Sequence, residues 1–256
     1  MEITFDNITY KDKLNNITFT IDNSNINGVY NYKNIIKILL NPESIDKGKV
    51  LIDNHIYRKY NPSFIAVIDK EKEFYTSRVI DEILFYAKVR GYKNKSIKQE
   101  INSLLDELNL DKDILNRITP SLSTTEKYFI KLIANLIYKP KIIVFKDIMN
   151  GLDLNNKKLL KKVINRLQEQ GTLIIIASMD SNILYELTRK LIIVGKNDVI
   201  IGKTDEIYQQ VEMLLTKNVD IPYFSLLTYK AKKEKNINLF YRKDVRDVIK
   251  DVYKSV

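Results

Sequence analysis

The stretch IIVFKDIMNGLD, Ile142 to Asp153, decides how this chain folds. Its first residues, Ile142, Ile143, Val144 and Phe145, are β-branched or aromatic with no polar interruption, the pattern of a strand buried on both faces. Lys146 and Asp147 end the run. Beyond Asp153, LNNKKLLKKVINRLQEQ carries apolar residues at helical spacing and stops at Gly171. The stretch reads as a buried strand that ends on a lysine and an aspartate and turns into a helix.

The same alternation continues on both sides. Downstream, TLIIIA, KLIIV and DVIIG read as strands, and SNILYELTR and DEIYQQVEML as helices. Upstream, SLSTTEKYFIKLIANLIY opens with Ser123 three residues before Glu126, as a capping box requires, and Pro140 ends that helix. From Val79 to about Arg117 the period is helical throughout (VIDEILFYAKV, IKQEINSLLDELNL, DILNRI), predicting a mostly helical insert. EITFDNITY, LNNITFTID and NINGV alternate with period two, GKVLID and SFIAVID read as two more strands, and YKNIIKILL is a buried helix ended by Pro42. Alternating buried strands and helices predict a largely parallel sheet covered on both faces.

Bulk properties narrow the chemistry. A chain of 256 residues suits one α/β domain with an appendage, or two small domains. The longest apolar runs are strand length, far short of the about 20 residues that span a bilayer. The N-terminus lacks the basic-then-apolar order of a secretion signal, so a soluble, cytoplasmic chain is expected. With no cysteine and a single histidine, His55, disulfides, thiolate metal sites, cysteine nucleophiles and paired histidine ligands are excluded. His55 is assigned no role. The net charge of +10 would attract polyanions. Lysine is spread along the whole chain without a basic stripe interleaved with aromatics, so no nucleic-acid partner is expected.

The order of elements resembles the ATP-binding cassette (ABC) family: three strands, a helix, two strands, a helical insert, LS before a helix, a strand, GLD, a helix and a strand. In that family an LSGGQ signature starts a helix, a proline follows eighteen residues after its leucine, and a strand then carries Asp-Glu and GLD. Here Leu122, Ser123, Pro140, Gly151, Leu152 and Asp153 occupy those positions without a gap. LNNITFTID, KGKVLIDN, TSRVIDEI and IIIASMD extend the match along nearly the whole chain. VDIPYFSLLTYKAKKEKNINL resembles the C-terminal extension of one branch, the ATPase subunits of energy-coupling factor importers. The resemblance implies a P-loop NTPase-like α/β fold: a mostly parallel central sheet, an N-terminal antiparallel β subdomain, a helical subdomain at about 76–138 within an ATPase-like domain 1–215, and a small helical or α+β extension, 216–256, that touches other subunits.

Set against that family, the chemistry is missing. A phosphate cradle needs a glycine-rich loop at a helix N-terminus, because backbone amides must close on the phosphates without Cβ atoms in the way. Between Val29 and Ile35 stands only YNYKN, without glycine and about five residues shorter than the family's loop. Lys33 and Asn34 fall near the old lysine position, with Tyr30 and Tyr32 as partial fillers. Lys146 takes the place of the magnesium-binding Asp, and an ammonium has no lone pair to offer a cation. Asp147 replaces the Glu that orients the attacking water, Met179 the switch histidine, and Ile68 or Asp69 the glutamine. Ser123 survives in the signature, but Thr124 and Thr125 replace its glycines. Tyr10, near the family's adenine-stacking aromatic, reads as a packing residue, as does Met179. Lys146 is expected to relieve repulsion between Asp147 and Asp153.

The positions that make contacts are retained. Asn150, Gly151, Leu152 and Asp153 match the loop by which paired subunits touch. By the same resemblance Phe74, Tyr75 and Glu82 are expected at the edge of the cleft where a transmembrane component docks, the other reading of Phe74 and Tyr75 being that they anchor the helical insert to the sheet. The resemblance therefore implies a catalytically inactive ABC-type subunit, without nucleotide, magnesium or other cofactor. It would pair with itself or with an active ABC ATPase and sit on the inner face of the cell membrane under a transporter. The alternatives are a weak ATPase using Lys33 and Asp147, with ATP and magnesium bound, and the fold reused for a task outside transport.

Overall fold

The structure is a computed structural model describing residues 1–69, 73–89, 97–149, 151–237, 239, 246–247, 250 and 253. The chain divides into two compact units: residues 2–58 with 176–256, and residues 59–175 together with Met1. Each is described by itself.

The unit formed by the chain's two ends begins with β1 (Glu2–Tyr10), β2 (Leu14–Asp22), β3 (Asn27–Tyr30), α1 (Lys33–Leu40), β4 (Lys47–Ile52) and β5 (His55–Ile56). An antiparallel sheet runs in the order β2-β1-β4-β5. Ile3, Phe5, Ile8 and Tyr10 are buried, and the three-residue step from Phe5 to Ile8 has a cause: the register with β2 shifts there, at Asn7 with φ 52°. Gly48, at φ 91°, faces this bulge, where a Cβ would collide with the carbonyl oxygens of Asp6 and Asn7. Phe5 and Phe19, opposite one another, stack at 4.5 Å.

The middle unit contains β6 (Ile65–Asp69), α2 (Val79–Val89), α3 (Ile97–Glu107), α4 (Thr124–Leu136), β7 (Ile142–Lys146), α5 (Leu154–Glu169) and the first residues of β8 (Leu173–Ala177). The apolar run Ile142–Phe145 is wholly buried, as its composition predicts. β7 lies between β6 and β8, parallel to β6, with Ile65 opposite Ile142 and Asp69 opposite Lys146. Both faces of α4 are enclosed, so Tyr128 through Leu136 are all buried. DILNRI, read as helical, forms only a 3-10 turn at Lys112–Asn116, capped by Asp111.

The first unit resumes with α6 (Ser181–Leu187), β9 (Lys190–Val194), β10 (Val199–Lys203), α7 (Thr204–Gln209), α8 (Val211–Thr216) and α9 (Tyr223–Lys235). β9 pairs in parallel with β3 and antiparallel with β10. DEIYQQVEML, read as one helix, is broken at Gln210 (ψ 54°) into α7 and α8. Within the expected extension 216–256, α9 is tied to α8 by Tyr229 Oη donating to Glu212 at 2.8 Å.

Lys190 at the start of β9 bonds Asp22 at the end of β2, Nζ to Oδ2 at 2.6 Å. Burial pushes the Asp22 carboxyl up, but hydrogen bonds from Lys190 and Ser24 outweigh it and hold it at about 2, below the ordinary 3.8. A depressed carboxyl stabilises the fold above its unfolded value and loses that contribution as pH falls through the folded one. The side chain is about one-third exposed, which limits the effect to about 1 kcal/mol. Asp22→Asn is expected to lower urea-unfolding stability by about this amount at pH 7. The deficit should close between pH 4 and about 2; a deficit constant with pH would assign the loss to packing.

Candidate functional site

In the middle unit, parallel pairing in register brings the last side chains of β6 and β7 to the same sheet face. Lys146 Nζ donates to Asp69 Oδ2 at 2.9 Å, with the side chains 22% and 16% exposed. The expected role of Lys146 named Asp147 and Asp153, and Asp69 is a partner it did not name. Its ammonium meets Asp69, one of the two candidates for the glutamine position, and Asp153 is stabilised by other means. Asp153 caps α5, accepting from Asn156 N at 2.9 Å and Asn156 Nδ2 at 2.8 Å. The backbone bond from Asn156 holds its carboxyl below the usual range. Asp147 follows with φ 48°, a left-handed conformation rare for a residue with a Cβ.

In the other unit, β3 and α1 are joined by Asn31 and Tyr32 alone. Tyr30 and Tyr32 are 3% and 2% exposed, filling the interior, and Tyr30 Oη accepts from Asp220 N at 3.2 Å. Asn31, at φ 59°, turns the chain and donates Nδ2 to Val194 O at 3.0 Å. The amide of Ile36 makes the first bond of α1, to Tyr32 O, so the two-residue link replaces the long amide-lined loop that a phosphate cradle needs. Lys33 and Asn34 line an open recess of about 390 Å³ with Lys13, Met179 and Lys196. Met179 is 38% exposed, so plain core packing does not describe it. Tyr10, 5% exposed, is a core residue without a free ring face.

Ser123 forms the predicted capping box: its Oγ accepts from Glu126 N at 3.2 Å, and its own N donates to Glu126 Oε2 at 2.7 Å. Arg117 bonds Glu126 Oε1 at 2.6 Å. The serine hydroxyl is thus engaged in starting α4. Asn150 lies outside the described residues. Gly151 turns the chain at φ 81°, and the Leu152 side chain is buried, 8% exposed. Leu154, 76% exposed, is a large apolar side chain next to this loop that sequence reasoning missed.

Glu82 is fully buried, which corrects its reading as a surface contact. Its Oε2 accepts from Tyr75 N at 2.9 Å, Thr76 N at 2.8 Å and Thr76 Oγ1 at 3.0 Å, so it positions the segment carrying the aromatic pair. Phe74 is half-buried beneath the Lys131 ammonium, 5.3 Å from the ring centroid. Tyr75 is 67% exposed, its ring 5.3 Å from Phe85, and Leu84 and Phe85 are each 38% exposed. Sequence reasoning missed Leu84 and Phe85, although VIDEILFYAKV holds more apolar residues than one buried face needs. Among the described residues no group of three or more acidic or histidine side chains could hold a metal ion, and no helix is long and apolar enough to cross a membrane.

Comparison with known proteins places this geometry. An ABC transporter ATP-binding protein of Caldanaerobacter subterraneus subsp. tengcongensis is 26% identical over 178 residues, 67% of this chain and 73% of its own. The energy-coupling factor transporter ATP-binding protein EcfA1 of Mycoplasmoides gallisepticum is 29% identical over 143 residues, 56% of this chain and 51% of its own. The solved structure of cbiO1 from Clostridium perfringens, part of the ABC transporter complex cbiONQ, superposes with a TM-score of 0.69 at 18% identity, covering 89% of this chain and 98% of that one. No family model matches. The fold is that of an ABC ATPase nucleotide-binding domain, and the chain's relatives are ABC transporter ATP-binding proteins, among them one of the energy-coupling factor type.

Removing Lys146 would leave the Asp69 carboxylate partly buried without its cation. Lys146→Met is expected to cost about 1–2 kcal/mol in urea unfolding, and the double-mutant cycle with Asp69→Leu to give a coupling of about 1 kcal/mol. Strict additivity would mean that the pair contributes nothing.

Proposed function

We propose that this chain is a non-hydrolysing ABC-type subunit that serves as a structural or regulatory partner in a membrane transport assembly of the energy-coupling factor type. One observation carries the reading: the strand-end position that would hold magnesium carries the Lys146 ammonium, bonded to Asp69 at 2.9 Å. The two-residue link from β3 to α1 supports it, because a phosphate cradle needs a run of unobstructed amides. The exposed Tyr75, Leu84 and Phe85 support a transmembrane partner, and Leu154 beside Gly151 supports pairing with a second ATPase subunit. On this reading the chain sits peripherally at the membrane and carries no nucleotide.

A second reading has one observation in its favour. Lys13, Lys33 and Lys196 around the recess at α1 would attract an anion, consistent with a weak ATPase. Hydrolysis assays separate the two. The purified chain with ATP and magnesium should release phosphate no faster than its Asp147→Ala and Lys33→Ala variants. Turnover abolished by either substitution would establish the weak ATPase. Affinity purification from native membranes should recover a transmembrane protein and an ATP-hydrolysing subunit, with recovery of the transmembrane protein reduced by Tyr75→Glu. Failure to recover either would remove the transport role.

A further inference from the structure

A separate cavity of about 430 Å³ lies in the middle unit, at the end of β7 where Lys141 precedes the strand. It is remote from Lys146, at the strand's other end, by roughly 15 Å at 3.3 Å per residue. Its size falls within the range of small-molecule sites. The floor is apolar and buried: Leu136, Ile137, Pro140 and Leu167, from the ends of α4 and α5.

The rim carries donors that the chain does not use. Lys139 is committed to Glu100 at 2.9 Å, and Arg166 grips Glu107 through Nε at 2.7 Å and Nη2 at 2.8 Å. Lys141 has no such partner, and the hydroxyls of Ser103 and Thr172 likewise make no bond within the described chain. Gln170 spends its Oε1 on Arg166 Nη1 at 3.1 Å, leaving its amide NH₂ over. An ammonium, two hydroxyls and an amide around an apolar floor call for a ligand with an apolar body and an acceptor head.

Charge limits that head further. Among the described residues Lys141 is the one rim cation without a carboxylate partner, whereas the C-terminal ends of α4 and α5, each equivalent to about half a negative charge, face the same space. A monoanion gains the lysine, and a phosphate dianion would be repelled. We propose that this cavity binds a small amphipathic carboxylate, with its apolar chain on Leu136 and Leu167 and its carboxylate on Lys141. The site is independent of the ATPase-like chemistry and of the transport reading.

The test is methyl NMR of the full chain titrated with octanoate, with octylammonium as the control of opposite charge. Octanoate should produce saturable shifts at the Leu104, Leu136, Ile137 and Leu167 methyls, and octylammonium none there. Lys141→Gln, on the surface, should weaken octanoate about tenfold. Ser103→Trp, entering from the exposed rim, should abolish binding while the spectrum elsewhere stays folded. Absence of saturable shifts, equal response to octylammonium, or binding indifferent to both substitutions would overturn the proposal.

Discussion

The ion pair between Lys146 and Asp69 is the interaction on which the rest of this structure's meaning depends. It closes the ends of two neighbouring parallel strands that are otherwise apolar and fully buried, and it fixes which charge stands at the edge of the sheet. A carboxylate in place of Lys146 would face Asp69 across the ladder, a like-charge pair that needs a cation or a shared proton between its members. An ammonium supplies that cation covalently. The same side chain that stabilises the strand ends has no lone pair to offer a metal while it is an ammonium, so packing and chemistry meet at this position.

In the unit formed by the chain's two ends, the link from β3 to α1 is short. Where an anion-binding helix start needs free amides and open space, α1 starts after two residues, and the flanking Tyr30 and Tyr32 rings are interior. Tyr30 is further held to Asp220, so the refilled region is connected to the segment leading into α9. The capping box at Ser123 and the cap at Asp153 give both residues a role in local structure, where each starts a helix.

Much of this was legible in the sequence. Ile142–Phe145 has to be an enclosed strand, Ser123 and Glu126 spell a capping box, and the lysine at 146 is visible at once. The partner of Lys146 was not legible, because strand register is set by tertiary pairing, and Asp69 lies 77 positions away. Asp153 was misread as a charge needing neutralisation, although its place three residues before Asn156 is that of an N-cap. Glu82 illustrates the opposite error. A carboxylate in the first turn of a helix suggests a surface, yet the loop at Tyr75 and Thr76 folds over it and supplies three donors. Exposure of Leu154, Leu84 and Phe85 depends on what covers each helix, which periodicity alone does not decide.

The central claim is that the residues replacing the nucleotide site occupy its place and leave no affinity for ATP with magnesium. Isothermal titration calorimetry of the purified chain tests it most directly. Heats no larger than dilution are expected up to about 1 mM nucleotide, with or without magnesium. Saturable binding tighter than about 0.1 mM, strengthened by magnesium, would contradict it.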